Sequence, residues 1–216
     1  MENIKIKGAI FDMDGTLLDS LSVWADSDRE FITGLGHDYD NRHSLAMKTM
    51  HFDSACEYLV QAFGLELSAE ETSEQILQIV EDKYLHGIDL KSGALEFVKT
   101  AHNKGVKMCV ATSNKKKLAE DALKSHGLME YMEFVLTSDE VGCGKESPLI
   151  FEKAAEMLGA KPAETAVFED SIHAVNSAKK AGFYVVGVHD PLSENEFREI
   201  EKVADRTIKS FSELTQ

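Results

Sequence analysis

Four short segments of this chain gather residue types that can do chemistry. They are Asp12-Met13-Asp14-Gly15-Thr16, Thr112-Ser113-Asn114, Gly142-Cys143-Gly144-Lys145 and Glu169-Asp170-Ser171. Carboxylates crowded at one point repel each other and call for a hard cation, and oxygen donors favour Mg2+ over zinc. A cation held there attracts phosphate. The Lys145 ammonium and the Thr112 hydroxyl can then neutralise and hydrogen-bond the oxygens of a transferring phosphoryl group. Phosphoryl transfer needs mostly such positioning and charge stabilisation. Asp12 is left as a carboxylate nucleophile.

Each segment alone has a plainer explanation. Asp-x-Asp-Gly is a common turn and calcium-loop pattern, although this one lacks the further ligands and the Glu of an EF-hand. Thr112 could cap a helix, Lys145 could be a solvated lysine, and Glu169-Asp170 could be a charge pair favoured at a helix start. Together, in order and each at the end of a strand, the four are hard to explain structurally.

Strand ends are where ligands of an open parallel sheet bind, and the pattern of elements must bring these segments there. The run from Ile4 to Phe11 begins with alternation and ends apolar, which predicts a buried strand stopping at Asp12. After Gly93 helices and strands alternate. A helix bearing Leu95, Val98 and Ala101 precedes a strand over 106–112; a helix capped by Asn114 and ended by Gly127 precedes one over 133–137. A helix started by Ser147-Pro148 precedes a strand over 165–168; a helix over 171–181 precedes one over 183–188; a weak strand over 206–208 closes the edge. This rhythm predicts an α/β fold, a three-layer α/β/α Rossmann-like parallel sheet. Residues 17–87 instead show helical periodicity only. Trp24, Phe31 and Leu35 fall near one helical face, Asp53 can cap a second helix, and Ser68-Ala69-Glu70-Glu71 matches a capping box for a third. The expected division is a core of 1–16 and 88–216 with an inserted helical cap of 17–87.

Bulk properties bound the partners. A formal net charge of −15 on 216 residues repels nucleic acid and anionic lipid, so neither is an expected partner. No segment approaches the ~20 apolar residues of a membrane span. The first residues pass directly into an apolar strand without a basic and then apolar leader, and three scattered cysteines form no CxxC. A cytoplasmic, monomeric enzyme with reduced thiols is expected.

The four segments also carry a resemblance. Phe11-Asp12-Met13-Asp14-Gly15-Thr16-Leu17-Leu18-Asp19-Ser20 resembles the first motif of the haloacid dehalogenase superfamily. Val110-Ala111-Thr112-Ser113-Asn114 resembles the second, Gly144-Lys145 the third, and Val167-Phe168-Glu169-Asp170-Ser171 the fourth. The insert after the first motif is similar to the cap of the branch holding β-phosphoglucomutases and phosphoglycolate phosphatases. The resemblance implies that Asp12 attacks phosphorus and binds Mg2+. It implies that Asp14 protonates the leaving oxygen and then deprotonates water, while its backbone carbonyl binds the metal. Thr112, with the backbone amides near Ser113 and Asn114, would hold the phosphoryl oxygens. Lys145 would steady Asp12, and Asp170 would ligate the metal with support from Glu169. Asp14 also argues against dehalogenases, which lack that acid.

The chain departs from the family pattern in places. Glu146 and Leu149 replace a Pro and an Asp usual after the motif lysine, though Pro148 remains. No His follows the first motif as in β-phosphoglucomutases, and Phe52 aligns with a phosphate-gripping Arg of those mutases. Arg29, Arg42, His43, Lys48 or His51 could take that Arg's place. The leading expectation is a Mg2+-dependent phosphatase that hydrolyses a small phosphomonoester, a sugar phosphate or nucleotide-like ester, through an aspartyl-phosphate. A phosphomutase is the runner-up. A phospho-accepting signalling switch ranks low, because receivers are shorter and place the phosphorylated Asp apart from the metal-binding acids.

Overall fold

The computed structural model describes residues 6–47, 50 and 52–215; Ile4, Lys5, Lys48 and His51 lie outside the described residues. The chain divides into two compact units. One runs to Leu21 and resumes at Ile88; the other is Ser22–Gly87.

The first unit holds six parallel strands: β1 (Gly8–Phe11), β2 (Lys107–Thr112), β3 (Val135–Thr137), β4 (Thr165–Glu169), β5 (Tyr184–Val188) and β6 (Arg206–Ile208). Their order is β3-β2-β1-β4-β5-β6. The helical unit holds α1 (Val23–Gly34), α2 (Asn41–Met47), α3 (Phe52–Phe63) and α4 (Ala69–Asp82). The sheet unit adds α5 (Ala94–Asn103), α6 (Lys116–Ser125), α7 (Ser138–Val141), α8 (Leu149–Leu158), α9 (Ile172–Lys180) and α10 (Glu194–Ile200).

Side chains alternate across a strand, so one sheet must build two cores. Ile10, Cys109, Ala111, Val167 and Val185 pack on one face with Ile150 and Phe151 of α8 and Val175 of α9. On the other face Phe11 stacks on Phe168 with centroids 4.6 Å apart. Phe97 of α5 and Phe211 of the C-terminal turn join them. Two apolar faces, each covered by helices, make the three-layer α/β/α arrangement.

Several local expectations shift. Strand β1 begins at Gly8, although Lys107 N still donates to Lys7 O at 3.1 Å. Asn114 does not cap α6. Its Oδ1 accepts the Lys115 N–H at 2.8 Å, and Lys115 takes the cap position without a side-chain bond. Helices α2, α7 and α10 are short and had no counterpart in the periodicity. Helix α7 starts from a capping box in which Thr137 Oγ1 accepts from Glu140 N at 3.2 Å and the Glu140 side chain accepts from Thr137 N. The capping box at Ser68 and Glu71 forms as read. Leu17 through Leu21 fold with the sheet unit, where the sequence reading placed the start of the cap. Leu17 and Leu18 are fully buried and both donate their N–H to Met13 O at 2.9 Å, which fastens them to the strand-end loop.

Phe211 has no exposure and touches Phe11, Phe97 and Phe168 with centroids 5.4–6.3 Å apart. Replacing it by Ala should cost about 3–5 kcal/mol of unfolding free energy, measured by urea titration at an unchanged slope. A loss below about 1 kcal/mol would mean that the four rings do not form a packed cluster.

Candidate active site

Strand β1 lies between β2 and β4, with Phe11 in register with Val110 on one side and Phe168 on the other. The next residues of the three strands therefore emerge side by side. Asp12 N donates to Phe168 O at 2.9 Å, which seats the first carboxylate beside Glu169 and Asp170. This is the crevice where the strand order reverses, the usual ligand position of such a sheet.

Lys145 enters from the loop between α7 and α8. Its backbone carbonyl accepts a bond from Ser177 Oγ of α9 at 2.5 Å. Its Nζ donates to Asp12 Oδ1 and, at 2.9 Å, to Glu169 Oε1. The other Glu169 oxygen accepts the Ser171 N–H at 2.8 Å. Asp170 accepts a bond from Thr16 Oγ1 at 3.2 Å. One carboxylate oxygen each from Asp12, Glu169 and Asp170 lies within 4.8 Å of the others. All four of these charged side chains are buried.

Burial and mutual repulsion set the protonation of this group. Loss of water raises the Asp12 carboxyl to about 6, with Glu169 adding to the rise and Lys145 opposing it. Asp170 is pushed up to about 9, first by burial and then by the charges of Asp12 and Glu169. Burial by itself would lower the Lys145 ammonium, but the two carboxylates beside it more than reverse that, and its pKa is raised.

Asp14 is held by different partners. Ser20 Oγ donates to one of its oxygens at 2.7 Å and Asn114 Nδ2 to the other at 3.3 Å. Thr112 is fully buried, and its hydroxyl accepts the Asn114 N–H at 3.0 Å. Ser113 is exposed, with its hydroxyl 3.2 Å from that of Ser138. Asp12, Asp14, Ser113, Lys145, Glu169 and Asp170 line one cleft of about 280 Å³. Leu21, Ser171, His173, Ser193 and Glu196 complete its wall, and the last three were not singled out in the sequence. Thr16, Ser20 and Ser177 were also missed in these roles; the first two stand inside the first motif, which was the available signal. Larger hollows of about 580 Å³ in the helical unit, one beside Glu30 and Gln75 and one beside Asp53 and Glu70, contain none of the four segments.

The departures have local consequences. Helix α8 starts at Leu149 directly after Pro148. Glu146 lies over Gly144, where an added Cβ would come within 2.2 Å of Oε2. Cys143 is half-buried with a free thiol. In the helical unit, Phe52 packs edge-on against Trp24 with centroids 5.3 Å apart. Arg29 pairs with Asp26, Arg42 with Asp40, and His43 Nδ1 meets the Tyr58 hydroxyl at 2.9 Å.

Comparison with known proteins places the chain. It is 27% identical over 181 residues to the fructose-1-phosphate phosphatase YqaB of Escherichia coli, covering 84% of this chain and 95% of that protein. It is 29% identical over 182 residues to the phosphorylated carbohydrates phosphatase of Thermotoga maritima, covering 82% of each. Against the bifunctional riboflavin kinase/FMN phosphatase of Arabidopsis thaliana it is 29% identical over 180 residues but spans only 47% of that longer protein. Among solved structures, CbbY of Rhodobacter sphaeroides in complex with phosphate superposes with a TM-score of 0.76 at 23% identity, covering 97% and 96% of the two chains. The sequence profile of the haloacid dehalogenase-like hydrolases matches residues 9–188, a stretch running from β1 through β5 and containing all four segments. The chain belongs to the family of haloacid dehalogenase-like hydrolases.

Proposed function

We propose that this protein is a Mg2+-dependent phosphatase that hydrolyses a small phosphomonoester, a sugar phosphate or nucleotide-like ester, through an aspartyl-phosphate on Asp12. The observation that carries the proposal is the buried Lys145 bond to Asp12 beside Asp170, with Asp14 two residues beyond on the same loop. The phosphatases of Escherichia coli and Thermotoga maritima named above support the substrate class.

The donor set fits a hard divalent cation. Three carboxyl groups face one ammonium, so once all three are ionised two negative charges stand uncompensated in a buried cluster. Both Glu169 oxygens are already engaged, so Asp12 and Asp170 would be the direct side-chain ligands, with the Asp14 carbonyl completing the protein's share and Glu169 supporting. Bound Mg2+ would supply charge stabilisation to the phosphoryl oxygens.

The chain's own residues then divide the work. An Asp12 carboxylate oxygen forms a bond to phosphorus while the ester P–O bond breaks, and Asp14 gives the leaving oxygen its proton. Asp14 next takes a proton from water as that water attacks phosphorus, which releases inorganic phosphate and restores Asp12. Lys145 holds Asp12 in line and offsets the charge that builds on the phosphoryl group. The Thr112 hydroxyl and the backbone amide of Ser113 hold its oxygens, while the Asn114 N–H, which donates to Thr112 Oγ1, keeps that hydroxyl in place.

Asp12→Asn keeps the shape and removes the nucleophile. The variant should melt cooperatively and release no phosphate over background. Substantial turnover by the folded variant, with deamidation excluded, would point to direct attack by water.

Metal binding should depend on pH. The folded chain keeps a proton on Asp170 up to about 9, whereas the ordinary value is 3.8. Its contribution to the stability of the metal-free protein is therefore fully present below the ordinary value and lost as pH rises toward the folded one. Mg2+ must displace that proton, so its affinity should rise by up to about tenfold per pH unit between about pH 6 and 8, measured calorimetrically. Phosphate release should stop in chelator and return with Mg2+. An affinity flat across that range, or full activity in chelator, would contradict the metal assignment.

A mutase must grip a second phosphate. Both arginines of the helical unit are paired with neighbouring aspartates, and Phe52 offers a ring where a guanidinium would be needed. With β-glucose 1-phosphate, Mg2+ and a trace of the bisphosphate, free phosphate should form faster than glucose 6-phosphate. Much faster isomerisation would make the protein a mutase.

A further inference from the structure

The chain leaves the sheet unit after Leu21 and returns at Ile88. The two crossings are paired to each other. Asp19 N donates to Asp89 O and Lys91 N to Leu17 O, both at 2.9 Å, and Leu18 sits opposite Leu90 in an antiparallel bridge. Two such bonds make a ribbon too short to hold a position by itself. Leu17 and Leu18 tie it to the loop after β1 through Met13 O, and one side chain ties it to the end of β5. Lys91 Nζ donates to Asp19 Oδ1 on the other crossing at 3.0 Å and also to Asp190 Oδ2. Asp190 stands two residues past the end of β5 and is 1% exposed, and its remaining oxygen accepts the Leu192 N–H at 2.8 Å. A carboxylate so buried needs a fixed cation, and Lys91 is the ammonium that meets it.

The ribbon continues directly into the site. Ser20 follows Asp19 and donates to Asp14 Oδ1 at 2.7 Å, while Gly15 N donates to Leu18 O at 2.9 Å. A shift of the ribbon therefore moves the bond that orients Asp14.

We propose that Lys91 and Asp190 are positioning residues: their ion pair fixes the paired crossings to the end of β5 and so sets the placement of Asp14 as acid and base. The proposal rests on the phosphatase reading above and on the acid/base role of Asp14 within it. Neither residue touches the cleft that holds Asp12 and Asp170. The bonded route from the pair to Asp14 runs through Asp19 and Ser20.

A misplaced general acid has a signature that general loosening lacks. Proton donation matters for a poor leaving group and hardly at all for an activated one, and such catalysis is worth about 100-fold to 10,000-fold. The test compares kcat/KM for an alkyl ester, a hexitol 6-phosphate, with that for an aryl ester, p-nitrophenyl phosphate. Lys91→Met is the direct variant, but it leaves Asp190 buried without a cation. Lys91→Met combined with Asp190→Asn removes both charges and guards against failure to fold, which thermal melting checks. Lys91→Arg keeps the charge. The folded double variant should lose at least about tenfold more on the alkyl ester than on the aryl ester, and Lys91→Arg should recover most of the difference. Equal losses on both esters, or no loss, would overturn the positioning role while leaving the phosphatase reading intact. A wild-type protein that hydrolyses neither ester, nor any other phosphomonoester with Mg2+, would overturn the phosphatase reading and this proposal with it.

Discussion

A single buried ammonium holds the site together. Lys145 is 5% exposed and bonds Asp12 at the end of β1 and Glu169 at the end of β4. Its cost in lost hydration is met by two carboxylates, and its backbone is fixed by Ser177 of α9. One residue thus fastens the loop after α7, two neighbouring strand ends and the helix that follows β4. The same ion set leaves an excess of negative charge in the cleft. That excess suits a hard cation, as the proposed phosphatase requires on an acidic surface that would otherwise repel phosphate.

The geometry also depends on a place where a side chain cannot be. Gly15 adopts a φ of +79°, and a Cβ there would lie 2.3 Å from Asp170 Oδ2. The loop after β1 can therefore fold under the fourth segment only as glycine. This close approach brings Thr16 to Asp170 and carries the chain on to Ser20 and Asp14. The loop that follows Asp12 is thus also the start of the crossing to the helical unit. Chemistry and chain connection share the same few hydrogen bonds, so the surroundings of Asp14 and the base of the insertion cannot be varied separately.

The aromatic face of the sheet supports the same strand ends from beneath. Phe11 immediately precedes Asp12 and Phe168 immediately precedes Glu169, and the two rings stack at 4.6 Å. The packing of the core is therefore one residue removed from the carboxylates on both strands. Phe211 completes that cluster from the C-terminal turn, whose Phe211 N–H also bonds Ser92 O beside the returning crossing at 2.9 Å. Site, core and crossing are one mechanical system within the sheet unit.

By itself the sequence determined the rhythm of elements and the order of the reactive segments. Apolar runs of the right length are strands wherever they occur, and Asp12, Thr112, Lys145 and Asp170 each follow a run or a glycine turn that marks them. The family resemblance then supplied roles. Short helices such as α7 and α10 escaped because four to seven residues of periodicity carry little signal against their neighbours. Asn114 was read as a helix cap from its type, yet its side chain reaches Asp14, 100 positions away, a contact no local pattern encodes. The pairing of Lys91 with Asp190 is of the same kind, joining residues 99 positions apart. Only the tertiary structure decided which carboxylate each lysine serves, how high burial lifts Asp170, and where the chain passes between its two units. Those depend on distance and desolvation, which arise when remote segments meet and which residue types alone do not carry.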